Sequence, residues 1–181
     1  SQNFLSDLGR TISFSNEINF ISSQLFNMSL IMAGIIFIFF YINIRKIFIN
    51  TNQNLLIIIG SVFGVFGGIS LAGVGLTPSN LFLEMHIIFA TWLFRFFFVA
   101  SICFSILIFV DKIFPNKYAG GYLFFTISIL LYILISELGP DAKTNLLALS
   151  IQVISQKIIL IIFLFAVYIQ TKGVEFLSSN E

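Results

Sequence analysis

Long apolar runs separated by short polar segments dominate this chain. A helix that crosses the hydrocarbon core of a bilayer needs roughly 20 apolar residues, and most of these runs reach that length. They lack the strict alternation of apolar and polar residues that is expected of barrel strands. The pattern predicts an all-α, polytopic transmembrane helix bundle. Its five predicted spans lie at 25–44, 55–76, 85–110, 121–135 and 146–169.

The polar segments divide the chain around a single bundle. Residues 1–24 mix Ser, Asn, Asp, Arg and Glu with isolated Phe and Ile, which predicts an outer-face polar loop or an interfacial segment with a short amphipathic turn. Residues 25–170 form the transmembrane bundle, in which short connectors make consecutive helices antiparallel. Residues 171–181 are predicted to be a cytoplasmic tail.

Small residues recur at every fourth position of the second run, at Gly60, Gly64, Gly68 and Ala72. This spacing brings them to one face of a helix, where the lack of large side chains lets a neighbouring backbone approach closely. We expect this face to pack against another helix of the same chain, because short connectors already bring neighbouring helices together. Self-association of two copies is the alternative.

Basic residues fall mainly on one side of the predicted bundle. Those after the first and third spans and in the tail are Arg45, Lys46, Lys112, Lys117 and Lys172. The other side has only Arg10 and Lys143. The positive-inside tendency therefore places the first set in the cytoplasm and residue 1 on the outer side of the cell membrane. Because an outside amino terminus without a leader needs a preceding span, we expect a sixth helix in the full-length protein.

Composition agrees with a membrane location. Hydrophobic residues make up 58% of the 181 residues and charged residues only 9%, whereas soluble domains carry about 25% charged residues. The formal net charge of +1 excludes the strongly basic surface that nucleic-acid binding requires. The expected partners are membrane lipids, with other subunits of a membrane complex as a further possibility.

Two cations interrupt the apolar runs. A guanidinium such as that of Arg95 costs roughly 2.5 to 3.5 kcal/mol at the centre of a span, and the ammonium of Lys157 poses the same problem. Acidic residues gather at the predicted outer end, so we expect an outward-facing polar cavity in which loops fold over both cations. The candidate residues of this cavity are Asp7, Arg10, Glu84, His86, Arg95 and Lys157.

Two interpretations of this polar set stay open. The first is a structural network of ion pairs and hydrogen bonds that orients the helices. The second is a binding site in which the two cations hold an anionic group, such as a lipid phosphate or carboxylate. In the second case Asp7 or His86 is available as an acid or base.

His86 is the only histidine and Cys103 the only cysteine of the chain. A zinc site needs three or four protein ligands and bis-histidine haem needs a second imidazole, so we predict no metal and no cofactor. The simplest role for His86 is a hydrogen bond to a loop carbonyl or to Glu84. Proton handling or contact with a lipid headgroup is the alternative.

Short motifs give the chain a resemblance to a known group of membrane proteins. They are FLSDLGRT at 4–11 with LFN at 25–27, GVGLTP at 73–78 with MHIIFA at 85–90, and the weaker match QK at 156–157. Together they resemble the DRAM/Frag/Sfk superfamily and its prokaryotic relatives labelled as domains of unknown function. This resemblance implies six helices. Eukaryotic relatives are linked to lipid remodelling, lysosomal membranes and phosphoinositide signalling, whereas most prokaryotic ones have no assigned activity.

The sequence lacks the short motifs that identify common catalytic and binding sites. It contains no Gly-Xaa-Ser-Xaa-Gly elbow, no metal-binding His-Xaa-Xaa-Glu-His helix and no glycine-rich phosphate loop. We therefore favour a non-catalytic structural, accessory or lipid-binding membrane component. The alternative is a lipid-modifying enzyme or lipid transporter that uses the polar cavity, and a third hypothesis is an ion or proton pathway.

Overall fold

The computed structural model describes residues 3–48, 54–111, 114–140, 142 and 145–178. Within these ranges the chain forms five α-helices and no strand beyond one isolated bridge. The helices are α1 (Phe20–Asn43), α2 (Asn54–Leu76), α3 (Leu83–Val110), α4 (Asn116–Leu138) and α5 (Leu146–Ser178). Each is long and apolar enough to cross a membrane, which confirms the predicted all-helical fold and is consistent with a multi-pass membrane protein.

Several predicted helix boundaries are wrong, and each real helix extends further into polar sequence. The first helix begins at Phe20 rather than at residue 25, because the hydroxyls of its early serines donate to backbone carbonyls and need no loop conformation. The fourth begins directly after Pro115, a residue that is well suited to precede a helix, and it ends before Gly139.

The fifth helix also differs from prediction, since it continues to Ser178 instead of ending at residue 169. Part of the predicted tail is therefore helical. Lys172 donates to Glu175 one turn later at 2.7 Å, and Gly173 lies against the ring of Phe114 at the base of α4. This ion pair and this contact keep polar residues within a helix that the hydropathy pattern alone ends too early.

Consecutive helices pack side by side along the chain, from α1 on α2 through to α4 on α5. Buried residues make up 44% of the most apolar stretch of both α2 and α3, but 11% of that of α1 and 17% of that of α5. Helices α2 and α3 therefore form the centre of the bundle. The first and last helices form its margins.

The small residues of α2 are used within the chain and face two different helices. Gly64 lies on the ring of Tyr41 and Gly68 lies on the backbone of Gly34, both in α1, and the backbone of Ala72 also meets Gly34. Gly60 instead faces Cys103 and Phe104 of α3. Each four-residue step turns the helix by about 40°, so the strip drifts from one neighbour to the other along its length.

An aromatic layer crosses the middle of the bundle. Ring centroids lie 5.4 Å apart for Phe37 and Phe97, 5.6 Å for Phe97 and Phe163, and 5.4 Å for Phe125 and Phe163. Rings from four helices thus interlock at distances at which aromatic pairs attract. This layer separates the two halves of the bundle interior.

Replacing Gly34 with Ala is expected to destabilise the bundle by about 1 to 3 kcal/mol, a common cost of overpacking. The added Cβ would lie 2.5 Å from the carbonyl oxygen of Gly68 and 2.7 Å from the amide nitrogen of Ala72, and backbone atoms cannot rotate away. Thermal unfolding in detergent, followed by helical circular dichroism, measures the loss.

The matched control is Gly120→Ala, also in a helix. Its added Cβ would meet no atom within 4 Å, so the higher helix propensity of Ala should leave stability unchanged or raised by up to about 1 kcal/mol. Equal unfolding temperatures for the two variants would contradict close packing of α1 on α2.

Candidate functional site

Residues 4–19, here named the cap, lie over the end of the bundle where α1 and α3 begin. The cap contains a short 3₁₀ helix, Leu5–Gly9. The backbone N–H of Leu5 donates to Oε1 of Gln156 in α5 at 2.8 Å. The side-chain amide of Asn27 in α1 donates to the carbonyl of Gly9 at 3.0 Å. These two bonds join the 3₁₀ helix to both marginal helices.

A second pair of hydrogen bonds fixes the later part of the cap. The backbone N–H of Thr11 donates to Oδ1 of Asn80 at 3.0 Å, and Nδ2 of Asn80 donates back to the Thr11 hydroxyl at 2.8 Å. Asn80 lies in the turn between α2 and α3, so the cap also reaches the central helices. Sequence reasoning identified this turn but gave Asn80 no role, because a lone turn asparagine does not reveal a partner 69 positions away.

His86 is buried, with 6% of its surface exposed, near the start of α3. Its Nδ1 lies 2.7 Å from the backbone carbonyl of Thr77. A carbonyl only accepts, so Nδ1 carries the proton and, in the neutral ring, Nε2 is left as an acceptor. Of the two partners considered for His86, the structure shows the loop carbonyl, whereas Glu84 is exposed.

Four of the candidate polar residues are linked electrostatically where the cap meets the bundle. Burial raises the pKa of the Asp7 carboxyl, and this effect is partly offset by the backbone N–H of Phe4 and by the charges of Arg10, His86 and Lys157. These charges act on Asp7 from the cap, from α3 and from α5. The residues Asp7, Arg10, His86 and Lys157 are here named the polar cluster.

Arg95 lies elsewhere. Its guanidinium donates to Oε1 of Glu137 in α4 and lies 5.4 Å from the ring of Trp92. Both charged side chains are partly exposed on the outer surface of α3 and α4, at 34% and 46%.

In the structure the two intramembrane cations, which were predicted to share one pocket, have different neighbours. Arg95 follows His86 by nine residues, which rotates it about half a turn away from the polar cluster. Lys157 remains on the cluster side, within electrostatic reach of Asp7. The carboxylate for Arg95 comes from Glu137, which is in helical structure because α4 extends to Leu138.

A cavity of about 100 Å³ lies between the cap and the aromatic layer. Side chains from all five helices and from the cap line it. Its polar lining consists of Ser6, His86 and Gln156. Its aromatic lining consists of Phe26, Phe94, Phe97, Phe125 and Phe163. The remaining walls are mainly aliphatic. The cavity thus has a polar edge at the cap and an apolar interior.

Such a cavity can hold a short length of hydrocarbon. It is somewhat smaller than the roughly 150 Å³ apolar cavity that admits benzene in another protein. Among the residues that the structure describes, no group of three or more His, Cys, Asp or Glu side chains is placed to hold a metal ion. The aromatic lining was not identified from the sequence, because phenylalanine is so frequent that its spacing carries no signal.

The raised pKa of Asp7 predicts a pH dependence of stability. Because the folded state holds the Asp7 proton more tightly than the unfolded chain, the contribution of Asp7 is largest in acid and is lost as pH rises through its folded pKa. Asp7→Asn keeps the shape of the protonated carboxyl without titrating. Wild type should therefore unfold at nearly the same temperature as Asp7→Asn in acid, and at a lower temperature at neutral pH.

Thermal unfolding of both proteins from about pH 4 to 8 tests this prediction, since an ordinary Asp titrates near 3.9. The opposite trend, with wild type gaining on the variant as pH rises, would mean that attraction to Arg10 and Lys157 outweighs burial.

Comparison with known proteins adds no family to this description. No protein-family model matches the chain, and searches of curated proteins and of solved structures found no significant match. The resemblance to the DRAM/Frag/Sfk superfamily therefore stays a prediction.

Proposed function

We propose that this protein is a non-catalytic, lipid-binding component of a membrane. The observation that supports this function is the cavity beneath the cap, which combines an apolar interior with a polar edge. Pockets that bind small molecules usually have this composition, with mostly apolar walls and a few polar groups that orient the ligand.

The apolar interior suits the hydrocarbon part of a lipid. Each methylene group that leaves water for such a space contributes about 0.8 kcal/mol, although a chain already in a bilayer gains less because acyl chains surround it there. Selectivity must therefore come from the polar edge. Of the polar cluster only His86 lines the cavity, but Asp7 and Lys157 directly follow the edge residues Ser6 and Gln156 in the sequence. The two basic side chains of the cluster, Arg10 and Lys157, favour a lipid with an anionic group.

The margins of the bundle offer a route from the bilayer to this cavity. Within the described residues, α1 and α5 share no backbone packing like that between consecutive helices. Both helices nevertheless line the cavity, α1 through Phe26 and Leu30, and α5 through Leu160 and Phe163. Lower down, the rings of Phe37 and Phe163 meet at 5.2 Å. A lipid tail would thus enter sideways, above this ring contact.

Filling the cavity should abolish lipid retention. Leu160→Trp places an indole ring into a space of about 100 Å³. Ile161→Trp places the same ring at a position whose side chain is 66% exposed on the outside of the bundle. Native mass spectrometry of protein purified in mild detergent should show bound lipid for wild type and Ile161→Trp, and a loss of on the order of tenfold for Leu160→Trp.

Two outcomes would contradict the proposal. Wild-type protein that carries no lipid under conditions that preserve the fold would remove its basis. Equal lipid retention by both tryptophan variants, with unchanged helical circular dichroism, would place any bound lipid outside the cavity.

A lipid-modifying enzyme or lipid transporter is the second candidate. It is favoured by His86, which lines the cavity, and by Asp7, which follows the lining residue Ser6 and is acted on by the charge of His86. The resemblance to a superfamily linked to lipid remodelling also supports it. Cells that carry Asp7→Asn in place of wild type would then show an altered lipid composition although the protein still binds lipid. An unchanged composition would leave the non-catalytic function.

A further inference from the structure

The ion pair between Arg95 and Glu137 lies in a groove on the outside of the bundle. The groove has a volume of about 310 Å³ and runs between α3 and α4. Thr91 and Ser136 also line it and add two hydroxyl groups. This surface is polar, although both of its helices are apolar enough to cross a membrane. The groove shares the lining residues Ala90 and Phe94 with the cavity, but Arg95 and Glu137 do not line the cavity.

The position of this pair is unfavourable for a helix surface that faces lipid alone. Charged residues within spans almost always face the interior of a bundle or a water-filled cavity. Arg95 lies twelve residues after Leu83, which is about 18 Å along α3 at 1.5 Å per residue. Its partner Glu137 is the next-to-last residue of α4, so the pair lies where α4 ends but well along α3.

The ion pair leaves both charged groups with unused hydrogen-bonding capacity. A guanidinium has five N–H donors and a carboxylate has about four acceptor positions, so both retain capacity for a second partner after pairing. Ala90, Thr91 and Ser136 beside the pair are small, and small residues let another helix approach closely. The groove therefore has both the chemistry and the space to receive a polar helix surface.

We propose that a second copy of this chain covers the groove, related by a twofold axis along the membrane normal. The patch is self-complementary, because Arg95 of one copy meets Glu137 of the other and the reverse contact forms by symmetry. Two ion pairs then combine into a square of alternating charges. The pair of opposite charges favours a second copy over a lipid headgroup as the occupant, because a headgroup phosphate would attract Arg95 but repel Glu137.

Exchanging the two charges gives a test that preserves the pair within each chain. The doubly substituted chain Arg95→Glu/Glu137→Arg, named the swapped protein, retains one positive and one negative group at the same positions. Two swapped copies are complementary, as are two wild-type copies. A mixed pair places like charges opposite each other at both contacts.

The measurement is energy transfer between donor and acceptor labels attached to the carboxyl termini, in phosphatidylcholine vesicles at low protein density. Wild type with wild type and swapped with swapped should associate equally. The mixed combination should associate on the order of tenfold more weakly, because like charges meet in a medium of low dielectric constant. Unlabelled wild type should compete with the wild-type signal but not with the swapped signal.

Equal transfer in all three combinations would overturn the proposal, since the charges would then not meet across the interface. Absence of transfer between wild-type copies would also overturn it, and a zwitterionic lipid found on such monomers would identify a headgroup as the occupant. Circular dichroism of the swapped protein shows whether it folds. If it does not, Arg95→Gln and Glu137→Gln provide the second test, because each should weaken association of its own copies while leaving transfer from crowding unchanged.

Discussion

Hydrogen bonds between the cap and three separate parts of the bundle are the interactions on which the cavity depends. Gln156 of α5 accepts from the start of the 3₁₀ helix in the cap, and Asn27 of α1 donates to the end of that helix. Asn80, in the α2–α3 turn, binds Thr11 in the next part of the cap. A partly buried backbone N–H or carbonyl that loses its partner costs about 1 to 3 kcal/mol. These hydrogen bonds therefore hold the cap in place, and the cap covers the apolar cavity at this end of the bundle.

The helices were predictable because hydropathy alone identifies segments long enough to cross a bilayer. The helix ends were not predictable, because polar residues near the membrane surface are compatible with both a helix and a loop. Lys172 and Glu175 illustrate this point, since they pair within α5 where the sequence indicates a tail. The use of the α2 glycines within the chain followed from the short connectors. The contact of Gly60 with α3 instead of α1 was not predictable, because it depends on how the helices rotate and pack against one another.

The arrangement of the polar residues was likewise predictable only in part. The free-energy cost of a charge within a span predicts a carboxylate near each cation, and Glu137 lies beside Arg95. That cost does not say which acid pairs with which cation. Helix rotation separates Arg95 from His86, whereas the electrostatic effect of Lys157 on Asp7 depends on the packing of the cap against α5. The aromatic layer has no sequence signature at all, since its rings come from four helices and meet only after folding.

The bond from Leu5 to Gln156 joins residues that are 151 positions apart, while helix packing involves neighbours in the chain. Contacts between neighbours form early, because closing a short loop loses little entropy, and a contact across nearly the whole chain is late by the same reasoning. During synthesis the first four helices can assemble before α5 has left the ribosome. Completion of the cavity wall by α5 is then the final event of maturation, and a chain that ends before α5 would retain its stacked helices but lack that wall.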